Sequence, residues 1–322
     1  MSALPFSMSA ARTARRSGAG RQRGFTLIEA VVVIAITGIV AAMVATFIVM
    51  PVRGYTDTVA RADIADTADT ALRRIGRDVR LALPNSVRVT NDTSGNYYLE
   101  LLLTRTGGRY LSDDDNAPAS AGTPLSFVTS GTTFNMVGPL PAGAQTIQPN
   151  SDSVVVYNLG PGMAPADAYS TTANQSNRAL ITAVGAGPNA LITMQNPPFA
   201  AQQNSAGQST PMPSPNYHFH VVTGPVTYMC KPPSGANPGT LTRYWNYTIS
   251  EPQPTASSLP GTGLSALVAT GVTGCNSVFS YTVTNATNAV LEMNLNLAQP
   301  SSDTGNGGTV GLFQQVHVDN TP

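Results

Sequence analysis

Residues 25–50 read FTLIEAVVVIAITGIVAAMVATFIVM, and this apolar stretch determines how the rest of the chain is interpreted. It holds 26 residues with one charged side chain, Glu29, and no proline. At 1.5 Å per residue, an α-helix of this length spans roughly 39 Å, which is enough to cross a bilayer with some tilt. We therefore predict a transmembrane helix over residues 25–50.

The charges on either side of this stretch predict its orientation. Residues 1–24 carry five arginines and no acidic residue, and no basic residue follows the stretch until Arg53. Because positive charge accumulates on the cytoplasmic side of membrane helices, we expect residues 1–24 in the cytoplasm and residues 53–322 outside it. A secretory signal peptide, with an apolar region of about 7–15 residues, fits poorly, and a plain single-pass anchor is an alternative.

Apolar residues continue at spacings of three to five between the membrane stretch and Pro84. This spacing places them on one face of an amphipathic helix, while Arg and Asp occupy much of the other faces. We predict that the helix continues over residues 51–83 and that a sheet covers its apolar face. The residues of this face are Val59, Ile64, Ala68, Leu72, Ile75, Val79 and Leu83.

Residues 84–322 alternate β-type runs with loops rich in Gly, Pro and Ser, which predicts a β-rich domain. Only nine charged residues occur in residues 116–322, so Ser, Thr, Asn and Gln must provide most of the solvated surface. The domain is one unit or two, and a subdivision would fall near residues 196–216. Strands are predicted at residues 97–104, 153–159, 217–223, 226–230, 241–249, 277–284, 289–297 and 309–318.

Cys230 and Cys275 are the only cysteines of the chain. Outside the cytoplasm, such a pair predicts a disulfide. The bridge would close an interval of 44 residues. In the loop-entropy treatment, such a bridge raises the free energy of unfolding by on the order of 4 kcal/mol. A zinc site would require two more ligands at short spacing, and none flanks these cysteines.

Catalytic and metal-binding motifs are weak in this sequence. It contains no GxSxG, no HExxH, no P-loop and no GxGxxG placed after a strand. His218 and His220 share a strand face, and Asp113–Asn116 supplies oxygen atoms, but a polar face and a solvated loop are the favoured interpretations. The balance of 17 basic and 17 acidic residues excludes a strongly basic nucleic-acid-binding surface. We expect no enzyme activity, no cofactor, no bound metal and no nucleic-acid partner.

Residues 23–29, RGFTLIE, resemble the type IV prepilin signature. In that family, a membrane peptidase cuts after the glycine on the cytoplasmic side and methylates the new N-terminal phenylalanine. The resemblance implies cleavage between Gly24 and Phe25 and N-methylation of Phe25. Residues 1–24 are then a leader peptide that is removed.

Glu29 has two interpretations. An unpaired carboxylate within a membrane helix costs about 2.5–3.5 kcal/mol on insertion scales, so it needs a partner. The α-amine of a cleaved Phe25, on the same chain or on a neighbouring subunit, is such a partner and would give Glu29 a role in assembly. Alternatively, Glu29 reaches the cytoplasmic headgroups, since it lies one turn from the membrane edge.

Segments beyond the membrane stretch extend the resemblance. Residues 70–80 (TALRRIGRDVR) and 83–89 (LPNSVRV) resemble the helix end of the J-type pseudopilins. Further short segments, the last of which is residues 315–320, resemble proteins that are needed for biogenesis of the mannose-sensitive haemagglutinin (MSHA) pilus. The resemblance implies a pilin-like α+β fold, in which the long N-terminal helix packs on a β-rich, disulfide-containing extracytoplasmic domain.

The leading hypothesis is a minor pilin-like subunit needed for biogenesis of a type IV pilus of the MSHA type. It would sit in the inner membrane with its C-terminal domain in the periplasm, and later in the pilus fibre at or near the tip. Its implied partners are the prepilin peptidase, other minor and major pilins, and the inner-membrane assembly platform. Two alternatives stay open: a J-type minor pseudopilin of a type II secretion system, and a membrane-anchored adhesin or binding protein.

Overall fold

The computed structural model describes residues 24–259, 263–285, 287–298 and 308–322. The chain divides after Thr56 into two compact units. One α-helix, α1 (Leu27–Arg80), contributes to both, and it continues through Pro51. Apart from Gly24, the predicted leader over residues 1–24 lies outside the described residues.

The first unit consists, in its described part, of residues 24–56. Its described side chains are exposed along the apolar stretch, over residues 25–49. Within the described ranges, α1 is the single helix that is long and apolar enough to cross a membrane, with a mean hydropathy of 2.7 over its best 18 residues.

The second unit begins with the remaining turns of α1. On these turns, one face is buried, including Ala68, Leu72, Ile75 and Val79. The spacing of these residues is the spacing predicted from the sequence, and this part of the apolar face lies under the sheet as expected. Val59, the first residue of the predicted face, is instead exposed. The exposed side chains of the same turns include Arg73 and Arg77.

The helix ends at Arg80, three residues before the predicted end at Leu83. The Leu83 N–H donates to the Leu102 carbonyl at 2.8 Å, and the Thr104 N–H donates to the Leu81 carbonyl at 2.8 Å. These backbone groups therefore pair with a strand instead of continuing the helix. Pro84 also disfavours the helical conformation of the residue that precedes it.

All described strands belong to one twelve-stranded sheet in which every pairing is antiparallel. The strands are β1 Arg88–Asn91, β2 Tyr97–Arg109, β3 Thr133–Asn135, β4 Ser153–Val155, β5 Arg178–Gly185, β6 Leu191–Gln195, β7 His218–Lys231, β8 Gly239–Trp245, β9 Leu264–Val272, β10 Phe279–Asn285, β11 Asn288–Ala298 and β12 Thr309–Asp319. Their order is β10-β11-β9-β8-β7-β4-β5-β6-β3, with β12 beside β11, β2 beside β7, and β1 beside β2.

Strand β7 connects the two halves of this sheet. It pairs with β2 from His218 to Cys230. Its residues 220–222 pair with β4 and its residues 226–231 pair with β8. The structure therefore keeps the segments before and after residues 196–216 in one sheet and one unit, and no subdivision occurs there in the described part of the chain.

Two large hydrophobic clusters fill the second unit. The first packs the buried face of α1 against β2, β7, β11 and β12, with Leu99, Tyr228 and Leu291 fully buried. The second lies around β3 to β6, where the rings of Phe134 and Phe219 meet edge to face with centroids 5.3 Å apart. One sheet thus serves two separate cores, and α1 belongs to the first of them.

The predicted α+β organisation is present: a long N-terminal apolar helix precedes a β-rich domain with one disulfide. Cys230, at the end of β7, is joined to Cys275, which precedes β10. Both cysteines are buried within the first hydrophobic cluster. The bridge therefore links β7, which connects the two halves of the sheet, to the segment before β10.

Candidate processing and assembly site

Gly24 and Phe25 precede the first helical turn and have no regular secondary structure. The side chain of Phe25 is 82% exposed. A Cβ atom placed on Gly24 would have no neighbour within 4 Å. The peptide bond that the sequence predicts to be cut is therefore outside the helix and open to another protein, as proteolytic sites usually are.

Thr26 caps the first turn of α1. Its side-chain Oγ1 accepts a hydrogen bond from the Glu29 backbone N–H at 3.3 Å. The order Thr26-Leu27-Ile28-Glu29 has the Thr-x-x-Glu pattern of a capping box, which was not recognised in the sequence. Glu29 is also the acidic residue of the first turn, where the helix dipole favours negative charge.

Glu29 itself is exposed, like its neighbours in the first unit. The structure therefore supplies a local reason for a carboxylate at this position, which is stabilisation of the helix N-terminus. It also leaves the carboxylate available to a partner. The assembly role of Glu29 stays a prediction, as do cleavage at Gly24 and methylation of Phe25.

The apolar half of α1 exposes large side chains in every direction around the helix axis. A helix that is apolar on all sides is stable only when lipid or other protein surrounds it. Members of this surface, which we call the apolar helix surface, are Leu27, Ile28, Val31, Val32, Val33, Ile34, Ile36, Ile39, Val40, Met43, Val44, Phe47, Ile48 and Val49.

The second half of α1 is held on the sheet by Asp78. Its Oδ2 accepts hydrogen bonds from the Tyr228 hydroxyl and from the Arg243 Nε, both at 2.8 Å. Tyr228 lies on β7 and Arg243 on β8, so one carboxylate joins the helix to two neighbouring strands. Burial, together with the charge of Asp78, raises the pKa of the Tyr228 hydroxyl well above its usual value.

A second buried carboxylate lies beside the helix end. Glu100 of β2 is fully buried and pairs with Arg88 of β1, and its Oε1 accepts from the Tyr247 hydroxyl at 2.9 Å. Arg88 also donates to the carbonyls of Ser250 and Glu251, at 2.8 and 2.6 Å. Burial raises the pKa of Glu100, and the positive charge of Arg88 opposes this shift. The group is structural because each member is used within the fold.

The structure shows the surroundings of the candidate metal ligands that the sequence suggests. His218 and His220 lie at the start of β7, and burial, together with the charge of His218, lowers the pKa of His220. In the acidic loop, Asp115 pairs with Arg109, which holds the pKa of this carboxyl below its usual value. Within the described ranges, no group of three or more His, Cys, Asp or Glu residues could hold a metal ion.

Comparison with known proteins matches the N-terminal segment. Residues 20–45 match a family model described as the prokaryotic N-terminal methylation motif. No curated protein and no solved structure gives a significant match to the chain. The motif supports a type IV prepilin-like protein, and with it the interpretation of the apolar half of α1 as a membrane anchor.

Proposed function

We propose that the chain is a minor pilin-like subunit that is needed to build a type IV pilus of the MSHA type, with the pilus biogenesis protein MshO as the protein it resembles. The observation that carries the proposal is the methylation motif over residues 20–45, within which the Gly24–Phe25 bond is exposed and non-helical. The long helix followed by a β-rich domain fits a pilin-like protein.

Processing is the first step of the proposed function. Prepilin peptidase cuts between Gly24 and Phe25 from the cytoplasmic side and methylates the amine of Phe25. The cut removes five arginines, so the mature chain has 12 basic and 17 acidic residues and a net charge of −5. The C-terminal domain then lies in the periplasm, in agreement with the arginines that precede the membrane stretch.

Assembly is the second step. The apolar helix surface leaves lipid and packs among the helices of other minor and major pilins at the assembly platform, at or near the fibre tip. In this dry environment, the carboxylate of Glu29 pairs with the amine of Phe25 from its own or a neighbouring subunit. Attraction between charges is stronger there than in water, although desolvation of both groups offsets much of the gain.

The chain acts in this proposal as a substrate of an enzyme and not as an enzyme. Two of its buried carboxylates, Asp78 and Glu100, are each bonded to an arginine and a tyrosine within the fold. Groups that are used in this way hold elements together and are not free for acid–base chemistry on a ligand.

Mass spectrometry of the N-terminus tests the proposal directly. In a strain with prepilin peptidase, we expect the chain to begin at N-methylated Phe25, and in a strain without it to keep residues 1–24. Gly24→Val should block the cut, and Gly24→Ala is the matched control that should be tolerated. Since no atom of the described residues lies within 4 Å of a Cβ at Gly24, a block would reflect the fit to the peptidase and not a folding defect. An intact N-terminus in the peptidase-positive strain would contradict the proposal.

A J-type minor pseudopilin of a type II secretion system is the second candidate, because the same methylation motif supports pilins and pseudopilins alike. Deletion of the gene separates the two. Loss of surface fibres with normal secretion supports the pilus subunit, whereas loss of secreted proteins with normal fibres supports the pseudopilin.

A further inference from the structure

Arg178, at the start of β5, differs from the other arginines of the β-rich domain. Each of the others forms an ion pair with a carboxylate, namely Arg88, Arg105, Arg109 and Arg243. Arg178 has no such partner among the described residues. Its Nε donates to the Ala168 carbonyl at 2.9 Å, while Nη1 and Nη2 donate to no protein group in the described ranges. Most donors of this guanidinium are therefore unused.

The charge of Asp167 acts on Arg178, but the carboxylate oxygens of Asp167 accept hydrogen bonds from backbone N–H groups and not from Arg178. Its Oδ2 accepts from the Gly162 N–H and its Oδ1 from the Tyr169 N–H, both at 2.8 Å. Burial lowers the pKa of Arg178, which means that the surroundings of the guanidinium disfavour its charge. A negatively charged group placed beside Nη1 and Nη2 would relieve this cost.

The two largest of the described cavities lie near Lys231 and beside Arg178. Their volumes are about 660 Å³ and about 620 Å³. The second, which we call the Arg178 cavity, lies on one face of the sheet, and Arg178 also lines a smaller cavity of about 540 Å³ together with Asn174 and Asn196. Ser153 of β4 is paired with Leu180 of β5 and with Val222 of β7, so these three side chains share that face and form its floor. Residues 246–249, after β8, form a wall.

The Arg178 cavity is rich in hydroxyl groups that the fold does not use. Ser151, Ser153 and Thr248 line the cavity, and their hydroxyls form no hydrogen bond with another protein group among the described residues. Apolar groups, including Leu180 and Val222, lie between them. A ligand that fits must therefore offer one anionic group, several hydroxyls and an apolar surface.

We propose that the Arg178 cavity binds a carboxylated sugar, with the carboxylate on Nη1 and Nη2 of Arg178 and the ring hydroxyls on Ser151, Ser153 and Thr248. Paired N–H donors of arginine match the two oxygens of a carboxylate. The cavity volume lies in the range of small-molecule sites. A side-chain carboxylate of an acidic peptide would meet Arg178 equally well but would leave the three hydroxyls without partners, so the sugar is favoured. The proposal does not depend on the role of the chain in a pilus.

Calorimetric titration of the full chain in detergent tests the proposal, with glucuronic acid, galacturonic acid and N-acetylneuraminic acid as probes. Glucose is the neutral counterpart of glucuronic acid. We expect at least one acidic sugar to bind, and its affinity to fall about tenfold or more in Arg178→Gln, because a charged hydrogen-bonded pair is lost. Lys231→Gln is the matched control. It removes the same charge from another cavity of the β-rich domain and should leave the affinity unchanged.

Thr248→Val provides a second variant if Arg178→Gln does not fold. Thr248 is exposed, so the change removes one hydroxyl without altering the core. It should weaken binding of the acidic sugar several-fold and leave binding of acetate unchanged. Three outcomes would overturn the proposal: no binding of any acidic sugar, equal binding of acetate or sulfate, or binding of a glutamate-containing peptide in preference to the sugars. Sugar binding that neither Arg178→Gln nor Thr248→Val weakens would overturn it as well.

Discussion

Asp78 accepts hydrogen bonds from side chains of two neighbouring strands and is only 8% exposed. Its position fixes both the rotation and the height of α1 on the sheet, because a displaced helix would leave the Arg243 guanidinium without a charged partner. The carboxylate therefore adds directional bonds to an apolar contact that would otherwise tolerate sliding. At the scale of the residue, this is the contact that determines how the helix meets the sheet.

Asp78→Asn tests this role. Asparagine can still accept from Tyr228, but Arg243 is left as a buried charge without a carboxylate, so we expect the free energy of unfolding to fall by about 3 kcal/mol. Asp69→Asn is the control on the same helix, because Asp69 forms an exposed ion pair with Arg73. That change should cost at most about 0.5 kcal/mol. Urea unfolding of the full chain in detergent measures both, and equal small losses would contradict the role of Asp78.

Glu29→Gln separates the assembly role of Glu29 from its role in capping the first turn of α1. Glutamine also fits the third helical position of a capping box, so helix capping predicts no defect. Pairing with the amine of Phe25 needs the negative charge, so assembly predicts reduced recovery of partner pilins from membranes with normal cleavage after Gly24. Asp66→Asn, an exposed acid on the same helix, is the control. Equal recovery with wild type and Glu29→Gln would reject the assembly role.

The elements follow the sequence prediction unevenly. Long strands with clear alternation agree closely, and Leu291, Met293, Leu295 and Leu297 of β11 share one buried face as predicted. The two runs predicted at residues 217–223 and 226–230 are a single strand, β7, that continues through Gly224 and Pro225. Strands β1, β3, β5, β6 and β9 were not predicted. Two of these, β1 and β3, are only four and three residues long, which is too short for a period of two to be recognised.

The disulfide acts at the scale of elements because it joins the end of β7 to the segment before β10. Replacing both Cys230 and Cys275 by serine should lower the free energy of unfolding by about 4 kcal/mol in the loop-entropy treatment. The reason is that the unfolded chain is no longer closed over a separation of 45 residues. Comparison of oxidised wild type with the double variant in urea measures the effect. The wild type under reducing conditions should behave like the variant. Labelling of both thiols in the native, oxidised protein would show that the bridge is absent.

The whole molecule consists of a helix segment that has no core of its own and a second unit with two cores. The described side chains of the first unit are exposed, whereas the second unit buries one face of α1 together with the sheet. The stability of the fold therefore lies in the second unit. The first unit contributes a surface that lipid or other helices must cover.

Two truncations test this division. A chain that begins at Asp57 keeps Ala68, Leu72, Ile75 and Val79 and should fold as a soluble protein. A chain that begins at Leu81 loses these side chains from the first core and should fail to fold, because each large-to-small loss in a core alone costs about 2–5 kcal/mol. Circular dichroism and a cooperative urea transition are the measurements. A folded chain from Leu81, or an unfolded chain from Asp57, would contradict the division.

The sequence was sufficient for features that depend on neighbouring residues. The apolar stretch and the methylation motif each lie within one short segment. The apolar face of α1 and the alternation in β11 repeat over a few residues, and helix and strand geometry impose those periods directly. The pairing of the two cysteines also followed, because there was only one pair to form. The exposed Gly24–Phe25 junction agrees with the motif, although its cleavage stays a prediction.

The tertiary structure alone decided the contacts between distant parts of the chain. Asp78 pairs with Arg243 across 165 residues, and β7 joins both halves of the sheet. Arg178 has no carboxylate partner among the described residues and lines a cavity with several hydroxyls. No local pattern encodes such neighbours, because many pairings of antiparallel strands satisfy the same alternation. The choice among them depends on the sum of burial, hydrogen bonding and charge pairing over the whole domain, which only the complete fold determines.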